Sequence, residues 1–472
     1  MTTWMLKYSN LFIVLLISLI ISSCDKILEI DPPVQTITNE TAFSDSITAT
    51  ASVMGAYRLM SGRNGIFSNG IQTIALGLYA DELIASNTQD QFYEFYTGRI
   101  PPQNGIIVSS FWQYLYQMIF SANLSIEQLD VSKGLTYSIR QSLTGESKFI
   151  RALAYIYLSS NFGEVPLILK SDFRNNINVA KSKREDVINQ IRADLLEAVR
   201  LLPIDYSFAQ GQRVRANRYA AMALLARLEL FEGNYESALK YCNDIISNSE
   251  LYGLADHPSL VFNKNNIEII LQLHADSNLP PYGVTGEAAY LIPGVGGAPR
   301  YLVSVGLLSS FESEDQRKSA WIDSAKYLGK YYKYPRKYRL GTGMGRPNVD
   351  VPQFYTLIRL AEIYLIRSEC LFRKGDLSGS VEDLNRIRNR AGLQDLPEDI
   401  ALEGLFLAIV EERRHELFSE LGHRWQDLRR WGLIDSVNLA NKTGWESYRR
   451  VFPLPFEELL RNVSLKQNVG YN

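Results

Sequence analysis

Apolar residues recur at helical spacing along most of the chain. Between Gln353 and Leu393, Leu357, Leu360, Ala361, Tyr364, Leu365, Ser368, Leu371 and Phe372 form one stripe, the i, i+3, i+4 pattern of a helix with one buried face. Lys374-Gly375-Asp376 interrupts it: glycine tolerates the left-handed position after a helix, and Asp376 or Ser378 can cap the next one. Leu377, Val381, Leu384, Ile387 and Ala391 then make a second stripe. Two amphipathic helices on so tight a turn cannot bury both stripes alone, so more helices must pack on them. Asn217 to Ser247 repeats the design, with Gly233 matching Gly375, Ala226 matching Ser368, Tyr235 matching Leu377 and Ala238 matching Ser380. Small residues at these offsets around a glycine turn fit the tetratricopeptide pattern. Degenerate copies near 149–202 and 403–421 extend the expectation to a curved stack of helix pairs.

The same periodicity predicts helices over Phe43–Met60, Ser110–Leu129, Gly145 to about Asn161, and Arg184–Leu202. Two stretches break it. Residues 87–105 are polar and aromatic, with Pro101-Pro102, and read as a surface loop. From Glu250 to Pro352 the period fades into Pro-, Gly- and Tyr-rich sequence, with Ile267–His274 as a strand inside it. The expected fold class is mainly α, a tetratricopeptide-like helix-pair scaffold with long irregular loops and minor β. Long loops embedded in such a scaffold usually carry function.

Composition sharpens this at the N-terminus. Leu11–Ile21 is apolar except for Ser18, the length of a signal-peptide core and short of the roughly 20 residues of a membrane span. Ser22-Ser23-Cys24 follows and resembles a bacterial lipobox, in which the cysteine is acylated and becomes the first mature residue. Residues 1–23 are therefore expected to be removed, and 24–41, with Pro32-Pro33, to form a lipidated tether carrying palmitate-like chains. Residues 42–472 are expected to form one globular domain, with an N-terminal part to about 250 and a C-terminal part from about 265. Cys242 and Cys370 fall inside helical patterns and are expected to be buried free thiols. Net charge is −2, so no basic surplus points to nucleic acid.

Catalytic signatures are missing. His415-Glu416 starts an H-E-x-x-H motif, but Ser419 stands where the second histidine belongs. Glu412-x-x-His415 and Glu420-x-x-His423 lie eight residues apart on what reads as one helix, whereas di-iron ligation needs facing helices. Paired acids and arginines, among them Glu411, Arg414, Arg424, Asp427 and Arg430, explain this stretch as a charged, partly buried helix. GxSxG, P-loop and CxxC motifs are absent, and neither an enzyme nor a cofactor or metal is expected.

Binding chemistry is better supplied. A pyranose offers an apolar C–H face to aromatic rings and a fringe of hydroxyls to amides, carboxylates and guanidinium groups. Both ingredients occur in 87–105 (Asn87, Gln91, Phe92, Tyr93, Phe95, Tyr96, Arg99) and in 278–301 (Asn278, Tyr282, Tyr290, Arg300, Tyr301). Asn87, Gln91, Tyr93, Tyr96, Tyr282, Tyr290, Arg300 and Tyr301 are the candidate ligand contacts. Trp112 and Trp425 sit on helical stripes and read as core.

Taken in order, the lipobox, LEIDPPVQTITNETAF, GLYADEL, FWQYLYQMIFSAN, GESKFIRALAYIYLSSNFGEVPLI, YPRKYR, IRLAEIYLIRSECLFRKGD, EERRHELFSELGHRWQDLRRWG and the closing FPLPFEELLRNVSLKQNVGY resemble the SusD/RagB family of outer-membrane lipoproteins. The resemblance implies a cell-surface, lipid-anchored protein that sits as a lid on a SusC-like TonB-dependent transporter. It further implies non-catalytic capture of oligosaccharides, or of oligopeptides in some branches. A transporter lid with no ligand of its own is the remaining alternative.

Overall fold

The helical periods of the sequence become helices close to where the pattern places them. A computed structural model describes residues 39–61, 66–67, 69–275, 282–341 and 352–471. The first elements are α1 (Ser46–Ser61), α2 (Ile71–Tyr79), β1 (Leu83–Ala85), α3 (Phe92–Thr97), α4 (Tyr114–Val131), α5 (Tyr137–Phe162) and α6 (Arg184–Leu201). There follow α7 (Arg218–Phe231), α8 (Tyr235–Ile246), β2 (Ile269–Leu273), α9 (Gly286–Leu291), β3 (Tyr301–Val303), α10 (Val305–Ser310) and α11 (Gln316–Trp321). The last third contains β4 (Ile322–Tyr327), β5 (Lys330–Pro335), β6 (Tyr355–Arg359), α12 (Leu360–Lys374), α13 (Leu377–Arg390), α14 (Leu402–Leu417), α15 (His423–Arg430), α16 (Ile434–Asn441) and α17 (Phe456–Arg461). Mainly helical architecture is thus as expected, and among the described residues no helix is long and apolar enough to cross a membrane.

The two repeat-like hairpins form as the small residues and glycines require. Asn217 caps α7 by accepting from Ala220 N at 2.9 Å, and Asp376 caps α13 by accepting from Gly379 N at 2.9 Å. Their turns use Gly233 and Gly375 at φ 76° and 86°, which an L side chain rarely adopts. Ser368 and Ser380 meet hydroxyl to hydroxyl at 3.0 Å, so small side chains let α12 and α13 cross closely. Helix α8 packs on α12, which stacks one hairpin on the other across the intervening 250–352 region. Cys242 and Cys370, one on each of these facing helices, are buried and free. Earlier in the chain Arg151 of α5 ties α6 through Asp194 at 2.8 and 2.7 Å and α4 through Asn123 at 2.8 Å.

Three expectations need correction. The stripe from Leu360 to Phe372 forms α12, but its first member, Leu357, belongs to β6, which pairs antiparallel with β2 (Gln272↔Thr356, Leu273↔Tyr355). Tyr-Thr-Leu-Ile-Arg is aromatic and β-branched, and all its residues are buried, so a sheet partner satisfies its backbone where a one-sided helix would not. The 250–352 region is less irregular than its composition suggests. Besides β2 it contains β3, α9 to α11 and a β4–β5 hairpin whose Leu328-Gly329 turn is left-handed at both residues. The third correction concerns 412–423, where α14 ends at Leu417. Ser419, Leu421 and Gly422 take positive φ before α15 begins at His423, so the two Glu-x-x-His pairs do not share a helix.

That break organises the interior. Arg359, 1% exposed, reaches Glu268 at 2.9 Å, Glu416 at 2.5 Å and Glu420 at 2.8 Å. Arg390 also pairs with Glu268 and Glu416, and Arg317 bridges Asp315, Glu412 and Glu416. Burial works against the Glu416 charge, yet Arg390, Arg359 and Arg317 hold its carboxyl far below the usual carboxylate range. Lys337 completes the cluster on Glu420. Trp112, Trp425 and Trp321 are all core residues.

Candidate functional site

Strand pairing brings the two aromatic loops together. β1 and β3 run antiparallel with Leu83↔Val303, Ile84↔Leu302 and Ala85↔Tyr301 in register. Past the strand end, Ser86 N donates to Arg300 O at 3.0 Å and Ser86 Oγ donates to Pro299 O at 2.9 Å. Asn87–Gln91 therefore emerges beside Pro299-Arg300, although these stretches are far apart in sequence.

Local hydrogen bonds then set the first loop. Asn87 Oδ1 accepts from Gln89 N at 3.0 Å, and Asp90 Oδ1 accepts from Phe92 N at 3.0 Å to start α3. Helix α3 ends at Gly98, φ 71°, so part of the predicted loop is a short helix. Helix α9 sets the second loop. Thr285 caps it by accepting from Ala288 N at 3.2 Å, and Glu287 is buried beside Thr73 and Tyr355. Burial pushes the Glu287 carboxyl up to about 8, so it is held protonated. Gly286 is required here, since a Cβ on it would lie 2.1 Å from Asn69 Oδ1 and 2.6 Å from Asn69 Cα.

The eight candidates separate by exposure. Asn87, Gln91, Tyr282, Tyr290 and Arg300 are solvent-exposed. Tyr93 and Tyr96 are half-buried, their ring centroids 5.8 Å apart, and pack partly on the core. Tyr301 is the correction: it is 1% exposed, packs edge-on against Phe92, and donates its hydroxyl to Asp90 Oδ2 at 2.9 Å. A phenol so enclosed pins one loop to the other and offers no ring face to a ligand. Arg99 is also committed, donating to Thr443 O at 3.0 Å. Asn278 and Cys24 lie outside the described residues. Sequence reasoning missed Asp90 and Ser86 as positioning residues. Their only signal is a short polar side chain at a loop edge, where such residues commonly bond local backbone.

Comparison with known proteins follows this geometry. A sequence model of the SusD family matches residues 310–471, and a second, described as starch-binding associating with outer membrane, matches 69–230. SusD-like protein P25 of Formosa agariphila is 26% identical over 99% of each chain. The chain belongs to the SusD family. Another family member, the starch-binding protein SusD of Bacteroides thetaiotaomicron, is 26% identical over 73% of this chain and 75% of its own. Among solved structures, a laminarin-binding SusD-like protein superposes with a TM-score of 0.76 at 25% identity, over 91% of this chain and 100% of that one. Of these relatives, two are named for binding, one for starch and one for laminarin.

Proposed function

We propose that the protein is a non-catalytic, cell-surface glycan-binding lipoprotein whose ligand lies across the paired loops 87–97 and 282–301. The juxtaposition made by β1 and β3 supports this reading, because it brings Asn87–Gln91 beside Pro299-Arg300, and the candidate residues Asn87, Gln91 and Arg300 there are exposed. Tyr282 and Tyr290 supply the stacking faces, with Asn87, Gln91 and Arg300 as hydroxyl partners and Tyr93 and Tyr96 as a half-buried floor. Relatives named for starch and laminarin binding support a glycan over a peptide. Residues 1–23 act as the signal peptide, acylated Cys24 anchors the 24–41 tether to the outer membrane, and the body from 42 onward delivers the glycan to a SusC-like TonB-dependent transporter.

The test is isothermal titration of soluble protein beginning at Asp25 against neutral and acidic oligosaccharides. Binding in the micromolar to millimolar range is expected, and Tyr290→Ala should weaken it at least about tenfold with an unchanged melting temperature. Absence of binding to every oligosaccharide, together with binding of oligopeptides, would replace the glycan reading.

A further inference from the structure

At the far end of the β1–β3 pair lies a cavity of about 270 Å³ to which no sequence motif pointed. Ile84 and Tyr96 form one wall, Ser304 to Gly306 another, and Asp81, Arg414 and Lys442 close it. This is just below the roughly 300 Å³ at which small-molecule pockets begin, so it suits one unit of a longer ligand. Ile84 precedes Asn87 by three residues, about 10 Å of extended chain, which puts the cavity within reach of a glycan on the exposed loops.

Its charge is unbalanced. Lys442 is 5% exposed, and its ammonium donates to Leu78 O at 2.8 Å and Tyr96 O at 2.7 Å. An ammonium has three N–H groups, so one is left over. Arg414 uses Nη2 on Asp81 at 2.8 Å, while its Nη1 stands 3.6 Å from Glu411, beyond hydrogen-bonding distance. Asp81 is itself shared with Arg424 at 2.8 and 3.0 Å. Lys442, Arg414 and Arg424 thus face two half-buried carboxylates, Asp81 and Glu411, and neighbouring Glu82 adds little charge, since burial pushes its carboxyl up to about 8. Burial likewise pushes the Lys442 amine down to about 7, the response of a cation short of a counter-charge.

Building on the glycan reading above, we propose that this cavity receives an anionic substituent of the glycan, a carboxylate or sulfate ester held by Lys442 and Arg414. The favoured ligands are then acidic oligosaccharides.

The experiment titrates the full soluble chain with a uronate-containing oligosaccharide and with the same oligosaccharide after carboxyl reduction. A second arm compares a sulfated oligosaccharide with its desulfated form. At least one acidic form should bind about tenfold or more tightly than its neutral counterpart, and the arm in which this occurs identifies the anion. Lys442→Met should bring the acidic form down to the neutral affinity. So should Gly306→Leu, whose Cβ has room, 3.6 Å from Arg414 Nη2, and whose side chain fills the cavity without removing a charge. Equal binding of acidic and neutral forms overturns the inference and leaves the glycan reading standing. Persistence of the preference in a normally melting Gly306→Leu protein also overturns it, and failure of every glycan to bind overturns both.

Discussion

Arg359→Met is expected to be among the most damaging single substitutions outside the apolar core. The guanidinium makes five hydrogen bonds, to Glu268, to the Glu416 carboxylate and carbonyl, and twice to Glu420, all between 2.5 and 2.9 Å. Its loss leaves buried carboxylates with fewer counter-charges, and breaking one side of such a buried arrangement costs about 3–5 kcal/mol. A 472-residue chain at roughly 2.1 cal/mol/K per residue unfolds with an entropy of about 1 kcal/mol/K, so the melting temperature should fall by ~3–5 °C. The exposed Arg386–Glu382 pair serves as the control. With side chains 49% and 66% exposed, its removal by Glu382→Gln should change stability by less than about 0.5 kcal/mol. A second comparison isolates the cause. Glu420→Gln, harmful alone, should cost less in the Arg359→Met background, with a coupling of about 1–3 kcal/mol. Urea unfolding of the four proteins measures this directly. Equal losses for Arg359→Met and the surface control, or strictly additive effects of the two cluster substitutions, would refute the view that this network holds the C-terminal third to β2.

Glu82 has a folded-state carboxyl raised by burial and by Asp81 from 4.5 to about 8, so its contribution is complete below about pH 4.5 and is lost as pH climbs through 8. Glu82→Gln should therefore narrow the gap between denaturant midpoints at pH 5 and pH 8, although Glu287, raised to about 8 in the same direction, keeps part of it. Gly286→Ala forces a methyl group into Asn69 and should destabilise by about 1–3 kcal/mol while weakening glycan binding, read by calorimetry on one sample. Tyr301→Phe removes a buried hydrogen bond to Asp90, so it should lower stability by about 1 kcal/mol, whereas Tyr290→Ala should lower affinity alone. Cys24→Ala should abolish incorporation of labelled palmitate and release the protein from the membrane fraction.

The helices were legible because one-sided burial leaves a 3.6-residue imprint that single substitutions do not erase. Cap and turn residues such as Asn217, Gly233, Gly375 and Asp376 act locally and could be read locally. Strand β6 was not, because its Leu357 lies in phase with the helix that follows and its partner β2 is remote in sequence. The candidate surface was half legible. Aromatic and amide content singled out two loops that β1 and β3 bring side by side, but nothing near Tyr301 distinguishes a ring aimed inward at Asp90 from one aimed at solvent. Similarly, Glu412, Glu416 and Glu420 read as part of one charged, partly buried helix, but their partners Arg317, Lys337 and Arg359 come from remote stretches, and the break after Leu417 is what redirects Glu420. Lys442 carried no signal, because its neighbours in space come from Leu78, Tyr96 and Asp81.

The ribbon formed by β1 and β3 means that the proposed recognition surface is assembled from both halves of the polypeptide. Neither a fragment ending before Tyr301 nor one starting after Ala85 can display it. The pairing therefore cannot close until the chain is complete at least through Val303, and any recognition proposed for that surface is a property of the nearly finished fold, with no single segment able to supply it.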